Sequence, residues 1–338
     1  MKISELLYNQ LYTWFDQNKR ILPWRETEDA YSIWVSEIIL QQTRVEQGLP
    51  YFMRFVERFP TLSSLAAAQE DEVLRYWQGL GYYSRARSMH KAARQLVDNG
   101  YTLFPRTFDD IRALPGIGDY TAGAIAAFAY NLPYPALDGN VYRVLARLTD
   151  CEIPFDTSAG KRHFHQVAEE LLDRNNPRLF DSALMEFGAL YCVPVTPDCA
   201  TCPLQIVCQA YAHHTVDLLP VRKPRPKIRD RYFIYAIYLT PDKRTLLHQR
   251  QAKDIWQHLW EFPLTETDER GFLSNRSSSV RSSEFTHILS HQRLHARFLL
   301  CPVMTLPDIP NTKAVHINDI DDFALSRLTL KALAYFGF

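Results

Sequence analysis

The chain lacks several features, and each absence narrows its role. No apolar run approaches the roughly 18 residues that a membrane-spanning helix needs. The N-terminal stretch MKISELLYNQLYTWF puts acidic and polar residues where a secretory signal needs an uninterrupted apolar core, so a cytoplasmic protein is expected. Charge of one sign is not in excess: 38 Lys and Arg balance 38 Asp and Glu over 338 residues. A nucleic-acid partner would therefore be met by a local basic face rather than by a cationic protein as a whole. Two such clusters exist, Arg85, Arg87, Lys91 and Arg94 on one segment and Arg222, Lys223, Arg225, Lys227, Arg229 and Arg231 on another. With 46% hydrophobic and 22% charged residues, the composition is that of a globular chain with room for two domains.

Cysteine is scarce but concentrated. Cys192, Cys199, Cys202 and Cys208 fall in the pattern C-x6-C-x2-C-x5-C, while Cys151 and Cys301 stand alone. In a reducing compartment such a run reads as a ligand set rather than as disulfides. Zinc ribbons usually pair two CxxC units, whereas one CxxC flanked by wider gaps favours an iron-sulfur cluster of the 4Fe-4S type over zinc.

Along the chain, residues 4–18 have the apolar rhythm of an amphipathic helix, stopped near Leu22-Pro23-Trp24-Arg25. Residues 31–47, YSIWVSEIILQQTRVEQ, read as one buried helix with Glu37 among Trp34, Ile38 and Leu40. A carboxyl walled by apolar groups keeps its proton near neutral pH, as a general acid requires, although most helical glutamates are simply solvated. Further helices are expected near 49–58, 61–78 and 84–98. Between the last two lies Gln78-Gly79-Leu80-Gly81-Tyr82-Tyr83, a tight loop that either wedges into a base stack or caps a helix over buried tyrosines.

Leu114-Pro115-Gly116-Ile117-Gly118 lies between a short amphipathic segment and an alanine-rich helix starting near Asp119, a helix-hairpin-helix pattern. Positive φ is expected at Gly116 and Gly118, with the unpaired N–H groups opening the second helix turned towards a phosphate such as that of DNA. After Pro133 and Pro135, Asp138 stands at the N-cap of a helix carrying Val141, Val144, Leu145 and Leu148. At the positive end of a helix its pKa should be lowered, setting it apart from Glu37 in the manner of a split carboxylate pair. Residues 161–191 should be helical. Beyond Cys208, residues 216–230 are proline-rich and basic, a linker by composition. From 231 the sequence alternates like strands, which makes 231–338 a second, smaller α+β domain with a serine-rich surface loop at 274–283.

Four signatures in order, SEIILQQT around Glu37, LPGIG, ALDGNVYRV around Asp138 and the cysteine run, give the chain a resemblance to adenine DNA glycosylases of the MutY family, within the endonuclease III helix-hairpin-helix superfamily. The resemblance is strong over the first two hundred residues, roughly, and weaker beyond. It implies a mainly α helix-hairpin-helix glycosylase domain with an iron-sulfur loop (1–215), a linker (216–230) and a Nudix-like α+β domain (231–338) that reads 8-oxoguanine. The implied partner is double-stranded DNA with A opposite 8-oxoguanine or G, and the implied reaction is hydrolysis of the adenine N-glycosidic bond. Glu37 would be the acid and Asp138 the stabiliser of the oxocarbenium-like sugar. Cys192, Cys199, Cys202 and Cys208 would hold the 4Fe-4S cluster. Gly116 and Gly118 would meet phosphate, Gln42 and Tyr82 would fill the gap left by the extruded nucleotide, and Trp24, Arg25 and Leu40 would surround the adenine.

Tyr120 completes the catalytic set: strand-cutting members carry lysine there for a Schiff base, and a phenol cannot form one, so a monofunctional enzyme is implied. No acidic Nudix box follows Gly271, which argues against pyrophosphate hydrolysis. The chain departs from the family pattern at Leu289-Ser290-His291, usually Phe-Ser-His, where the polar pair Ser290 and His291 is kept, and at His258, usually glycine. The resemblance implies no dimer and no membrane, and a bacterial source would make the protein nucleoid-associated. The competing readings are an endonuclease III type glycosylase for oxidised pyrimidines and a non-catalytic iron-sulfur DNA-binding sensor, which would need neither Glu37 nor Asp138.

Overall fold

The computed structural model describes residues 3–224, 228–274 and 281–338. The chain divides into two compact units, one of Met1–Phe52, Thr61–Ser63 and Gln95–Pro224, the other of Met53–Pro60, Ser64–Arg94 and Arg225–Phe338. The described part of the basic segment excludes 225–227, and that of the serine-rich stretch excludes 275–280.

The helices run α1 (Ile3–Asn18), α2 (Ala30–Leu40), α3 (Val45–Arg58), α4 (Leu62–Ala67), α5 (Glu70–Trp77), α6 (Ser84–Asp98), α7 (Phe108–Arg112), α8 (Asp119–Tyr130), α9 (Gly139–Leu148), α10 (Ser158–Leu171), α11 (Pro177–Leu190) and the short α12 (Gln209–Ala212). Three expected helices are interrupted. The stretch 31–47 breaks after Leu40, where Gln42 takes φ +58. The stretch 61–78 breaks between Ala67 and Glu70, and 161–191 breaks between Leu171 and Pro177. Each break is a short polar run, 41–44, 69–70 and 173–176, of the length that one exposed helical turn also shows, which is why the sequence reads as continuous; the backbone turn is what differs.

In the first unit α1, α9, α10 and α11 share a core of Leu11, Phe15, Val144, Leu145, Phe164, Phe180 and Phe187. Burying each such side chain is worth about 1.5–3 kcal/mol, so this core fixes the start of α9 firmly. Gly188 of α11 permits the approach: a Cβ there would lie 2.7 Å from the Cβ of Asn140 and 2.9 Å from its carbonyl oxygen. Any larger residue would push α11 away from the first turn of α9, where Asp138 sits.

The hairpin α7–α8 is anchored by buried Ile111, Leu114 and Ile117 and capped by Thr107, whose hydroxyl accepts from the Asp110 N–H. Gly116 has φ +80 as expected, but Gly118 has φ −103 and ψ 179, an extended conformation open to any residue. Only one glycine of the turn is therefore conformationally required. No side chain caps α8.

In the second unit strands β1 (Arg229–Leu239), β2 (Arg244–Gln249), β3 (Trp260–Glu261), β4 (Leu264–Thr267), β5 (Ser282–Ile288), β6 (Gln292–Pro302) and β7 (Thr312–His316) form two sheets. One is ordered β4-β1-β6-β5 and the other β3-β2-β7. The β1–β6 pair is parallel, with Phe233 opposite Ala296 and Tyr235 opposite Phe298, and the remaining named pairs are antiparallel. Helices α13 (Glu269–Ser274) and α14 (Arg327–Phe336) complete the set. Phe233, Tyr235, Ile237, Leu294, Phe298, Leu328 and Phe336 form the core, the period-2 pattern of the strands turning one face of each inward.

Candidate active site

A cleft of about 870 Å³ in the first unit gathers Trp24, Arg25, Glu37, Leu40, Gln42, Tyr120 and Asp138. Seven of the residues singled out in the sequence thus share one wall or another of a single cavity.

Glu37 sits on α2, which Asp29 caps by accepting the N–H groups of Tyr31 and Ser32. The helix is buried on nearly every side, and Glu37 is 5% exposed. Burial pushes its carboxyl up to about 7, the hydrogen bond from Tyr120 pulls it down, the nearby Asp138 raises it and Arg25 lowers it. The Tyr120 hydroxyl donates to Oε2 at 2.8 Å, and burial with the carboxyls of Glu37 and Asp138 raises the phenol well above its ordinary range.

Asp138 caps α9. Its Oδ1 accepts the N–H of Asn140 and of Val141, each at 2.8 Å, and Oδ2 accepts Asn140 Nδ2 at 2.8 Å. The position is the one expected, but the direction of its pKa is not. Burial raises it, and this outweighs the lowering by the Val141 N–H, the Asn140 side chain and N–H, and Arg143. A helix N-terminus favours the anion, yet the cleft wall removes more water than the cap replaces.

Glu186 had no place in the sequence reading. An acid among apolar residues of α11, a helix that also carries Asp181, was the available signal, of the kind that marks Glu37. It is fully buried, and although burial would raise its pKa, Arg20 and Arg25 hold it at about 2. Arg20 donates its N–H and Nε to Oε1 and its Nη2 to Oε2, and Arg25 Nη2 donates to Oε2 at 2.8 Å. Arg25 lines the cleft, and its Nη1 is buried with no acceptor among the described residues. Arg20, which no pattern marks, and Asn140 also line the cleft.

Cys192, Cys199, Cys202 and Cys208 line one internal void with Arg147 and Tyr191. Arg147 Nη1 donates to Cys192 Sγ at 3.3 Å. Burial pushes up the thiols of Cys199, Cys202 (to about 12) and Cys208, and mutual repulsion between the sulfurs adds to it. Among the described residues no three His, Cys, Asp or Glu side chains converge as ligands of a single ion. A hydrogen-bonded line joins this loop to the cleft: Arg143 donates Nε to the Cys192 carbonyl at 2.7 Å and Nη2 to Asn140 Oδ1 at 3.0 Å, and Asn140 holds Asp138.

The remaining expected residues lie elsewhere. Gly116 and Gly118 are at the α7–α8 turn. In the second unit Tyr82 is 46% exposed at φ +46. Ser290 and His291 are exposed in the β5–β6 turn, Ser290 Oγ lying 3.0 Å from His291 Nδ1, while Leu289 packs against the core. His258 holds φ +67, the left-handed conformation that glycine adopts without strain, and its ring meets Glu70.

Two buried carboxyls face one cleft in a helical unit that carries a hairpin between α7 and α8, and that unit is of the DNA base-excision glycosylase class. Residues 35–171 match the HhH-GPD superfamily base excision DNA repair protein model, and residues 234–335 match the NUDIX domain model. The chain is 32% identical over 297 residues to an adenine DNA glycosylase of Buchnera aphidicola subsp. Baizongia pistaciae, covering 86% of this chain and 84% of that one. It is 41% identical over 209 residues to the human adenine DNA glycosylase, covering 59% and 38%. The chain belongs to the adenine DNA glycosylase family. Among solved structures it is similar to a thermostable thymine-DNA glycosylase, with TM-score 0.56, 24% identity and coverage of 62% and 97%, and to a non-covalent endonuclease III–DNA complex, with TM-score 0.54, 21% identity and coverage of 64% and 99%. At these identities the likeness shows the fold alone. Among the described residues no helix is long and apolar enough to cross a membrane.

Proposed function

We propose that the protein hydrolyses the N-glycosidic bond of adenine standing opposite 8-oxoguanine or guanine in double-stranded DNA. The observation that carries this is the buried Glu37 carboxyl, held by Tyr120 in the same cleft as Asp138. Adenine leaves poorly as an anion, so a proton must reach the purine ring as the bond breaks. With its pKa raised to about 7, Glu37 retains a proton to give. Departure of the base leaves positive charge on the sugar. Asp138, pinned by three donors, supplies a fixed carboxylate for that charge, and water completes the hydrolysis. Tyr120 has no amine with which to form a Schiff base, so the enzyme releases the base without cutting the strand.

Trp24 and Leu40 offer apolar walls to the adenine, with Arg25 beside them. The base must leave the stack to reach them. Gln42 and the exposed Tyr82 are the groups to replace it, the Gly116–Gly118 turn grips phosphate, and Ser290 and His291 meet the opposite base. Residues 1–215 would carry the chemistry and 231–338 the reading of 8-oxoguanine, joined through 216–230, and the protein would act as a monomer.

Four soft sulfur donors lining one void suit a polynuclear 4Fe-4S cluster. Bound to Cys192, Cys199, Cys202 and Cys208, it would cross-link the loop that Arg143 and Arg147 tie to α9.

Single-turnover excision on end-labelled duplexes with A opposite 8-oxoguanine, G, C or T tests the assignment. Cleavage confined to the first two, and revealed only by alkali, is expected. Activity on oxidised pyrimidines with none on adenine would overturn it.

A further inference from the structure

The loop between α5 and α6 is unusually constrained for a surface connection. Gly79, Gly81 and Tyr82 all have positive φ, at +101, +74 and +46. Trp77 Nε1 and Arg85 Nη2 both donate to the Gly81 carbonyl at 3.1 Å, and the Arg85 guanidinium lies over the rings of Trp77 and Tyr82. The result is an exposed aromatic ring on a backbone that would relax if it were not held.

What holds it comes from far along the chain. The Leu325 N–H donates to Gln78 Oε1 at 2.9 Å, and the Leu325 carbonyl accepts the Tyr83 hydroxyl at 3.3 Å, so both polar groups of one buried residue are engaged by the loop. The same Tyr83 oxygen accepts the Gly79 N–H at 3.3 Å. Leu325 is itself fixed: it is fully buried in the core beneath α14, and the neighbouring Ala324 carbonyl accepts the Trp260 N–H of β3 at 2.8 Å. Arg75 of α5 also pairs with Asp322, and Arg87 of α6 donates to the Gln257 carbonyl.

We propose that Gln78 and Tyr83 are positioning residues through which the Leu325 peptide sets the conformation of the Tyr82 loop, so that the C-terminal segment acts on nucleotide extrusion as well as on the opposite base. This rests on Tyr82 entering the base stack, as argued above. The brace works by geometry alone. Leu325 presents a donor and an acceptor at fixed separation, and the loop can satisfy both only while Gly79 and Gly81 keep their left-handed backbone.

Tyr83→Phe removes one hydroxyl and keeps the ring, and Gln78→Met removes one acceptor at nearly constant volume. In the full-length protein, amide hydrogen exchange at 79–85 should quicken about tenfold in either variant, with exchange in β1 and β6 unchanged. With 2-aminopurine beside the target adenine opposite 8-oxoguanine, the fluorescence rise on extrusion should slow by a similar factor. Exchange that stays as in the parent, or that quickens equally throughout the core, would overturn the brace. Tyr82→Ala separates the two ideas: normal extrusion in that variant would refute the stacking role of Tyr82, while the exchange result still decides the brace.

Discussion

Replacing Tyr120 by Phe tests the proposed acid most directly. The hydroxyl donates to Glu37 Oε2 at 2.8 Å and favours the ionised form, opposing the burial that lifts the carboxyl to about 7. A hydrogen bond to a charged group is worth about 1.5–3 kcal/mol, and one pH unit corresponds to about 1.4 kcal/mol, so its loss should raise the Glu37 pKa by about one to two units. The acid acts while protonated. In single-turnover excision of adenine opposite 8-oxoguanine, the rate of the parent should fall as pH rises through the Glu37 pKa, and in Tyr120→Phe this fall should move to higher pH. The plateau at lower pH is expected to drop modestly, because the carboxyl loses an orienting partner but keeps its proton. Glu37→Gln, which has no proton to give, should show no such limb. If Tyr120→Phe leaves the limb unmoved or shifts it to lower pH, either Tyr120 does not stabilise the Glu37 anion or Glu37 is not the titrating acid.

Asp138→Asn keeps the side chain's shape but not its charge, so base release should fall by at least about a hundredfold while binding to the mispair, read by gel shift, survives; retained turnover would remove Asp138 from its role. Asp181, 1% exposed with Oδ2 lacking any partner among the described residues, has its carboxyl raised by burial to about 8, opposed by the Ala136 N–H. A raised carboxyl pKa means that folding stability is greatest where both states are protonated and declines as pH rises from the unfolded value through about 8. Asp181→Asn should therefore raise the melting temperature more at mildly alkaline than at acidic pH, and an equal change at both would contradict the reading. Cys199→Ala should abolish the brown absorption expected of a 4Fe-4S cluster and weaken DNA binding, whereas colourless parent protein carrying one zinc ion would refute the cluster.

Much of the site was legible in the sequence because its residues break local patterns. Glu37 interrupts an apolar helix, Asp138 precedes an amphipathic one, and glycines flank a short turn. Each break has a physical cost that function must repay. What could not be read was of two kinds. The backbone reversals at Gln42 and at 172–176 fall in polar runs of about four residues, which one exposed helical turn would show equally, so only Pro177 after the second run was a distinct stop signal. Groups defined by distant partners were hidden too. Glu186 depends on Arg20 and Arg25, over 160 residues away in the chain, and Leu325 serves the Tyr82 loop through its backbone, where side-chain identity carries no signal. The pKa direction of Asp138 failed for a related reason: the cap was visible in the sequence, but the depth of burial was not.

Two carboxyls raised by burial in one cleft need a reason for the proton to choose between them, and the donors supply it. Among the described residues Glu37 receives one hydrogen bond, from Tyr120, whereas Asp138 receives three and stands at a helix N-terminus. The anion therefore settles on Asp138, and its charge is one of the causes that lift Glu37. The stabiliser thus helps to keep the acid protonated. The coupling predicts a consequence that a pair of independent residues would not show: in Asp138→Asn, where that charge is gone, the Glu37 pKa should fall. Carbon-13 labelling of glutamate side chains, with the carboxyl of Glu37 assigned by its absence in Glu37→Gln, would follow the titration in the free protein. A Glu37 midpoint that stays in place or rises in Asp138→Asn would show that the Asp138 charge does not lift the acid, and the two carboxyls would then owe their split roles to position and not to each other.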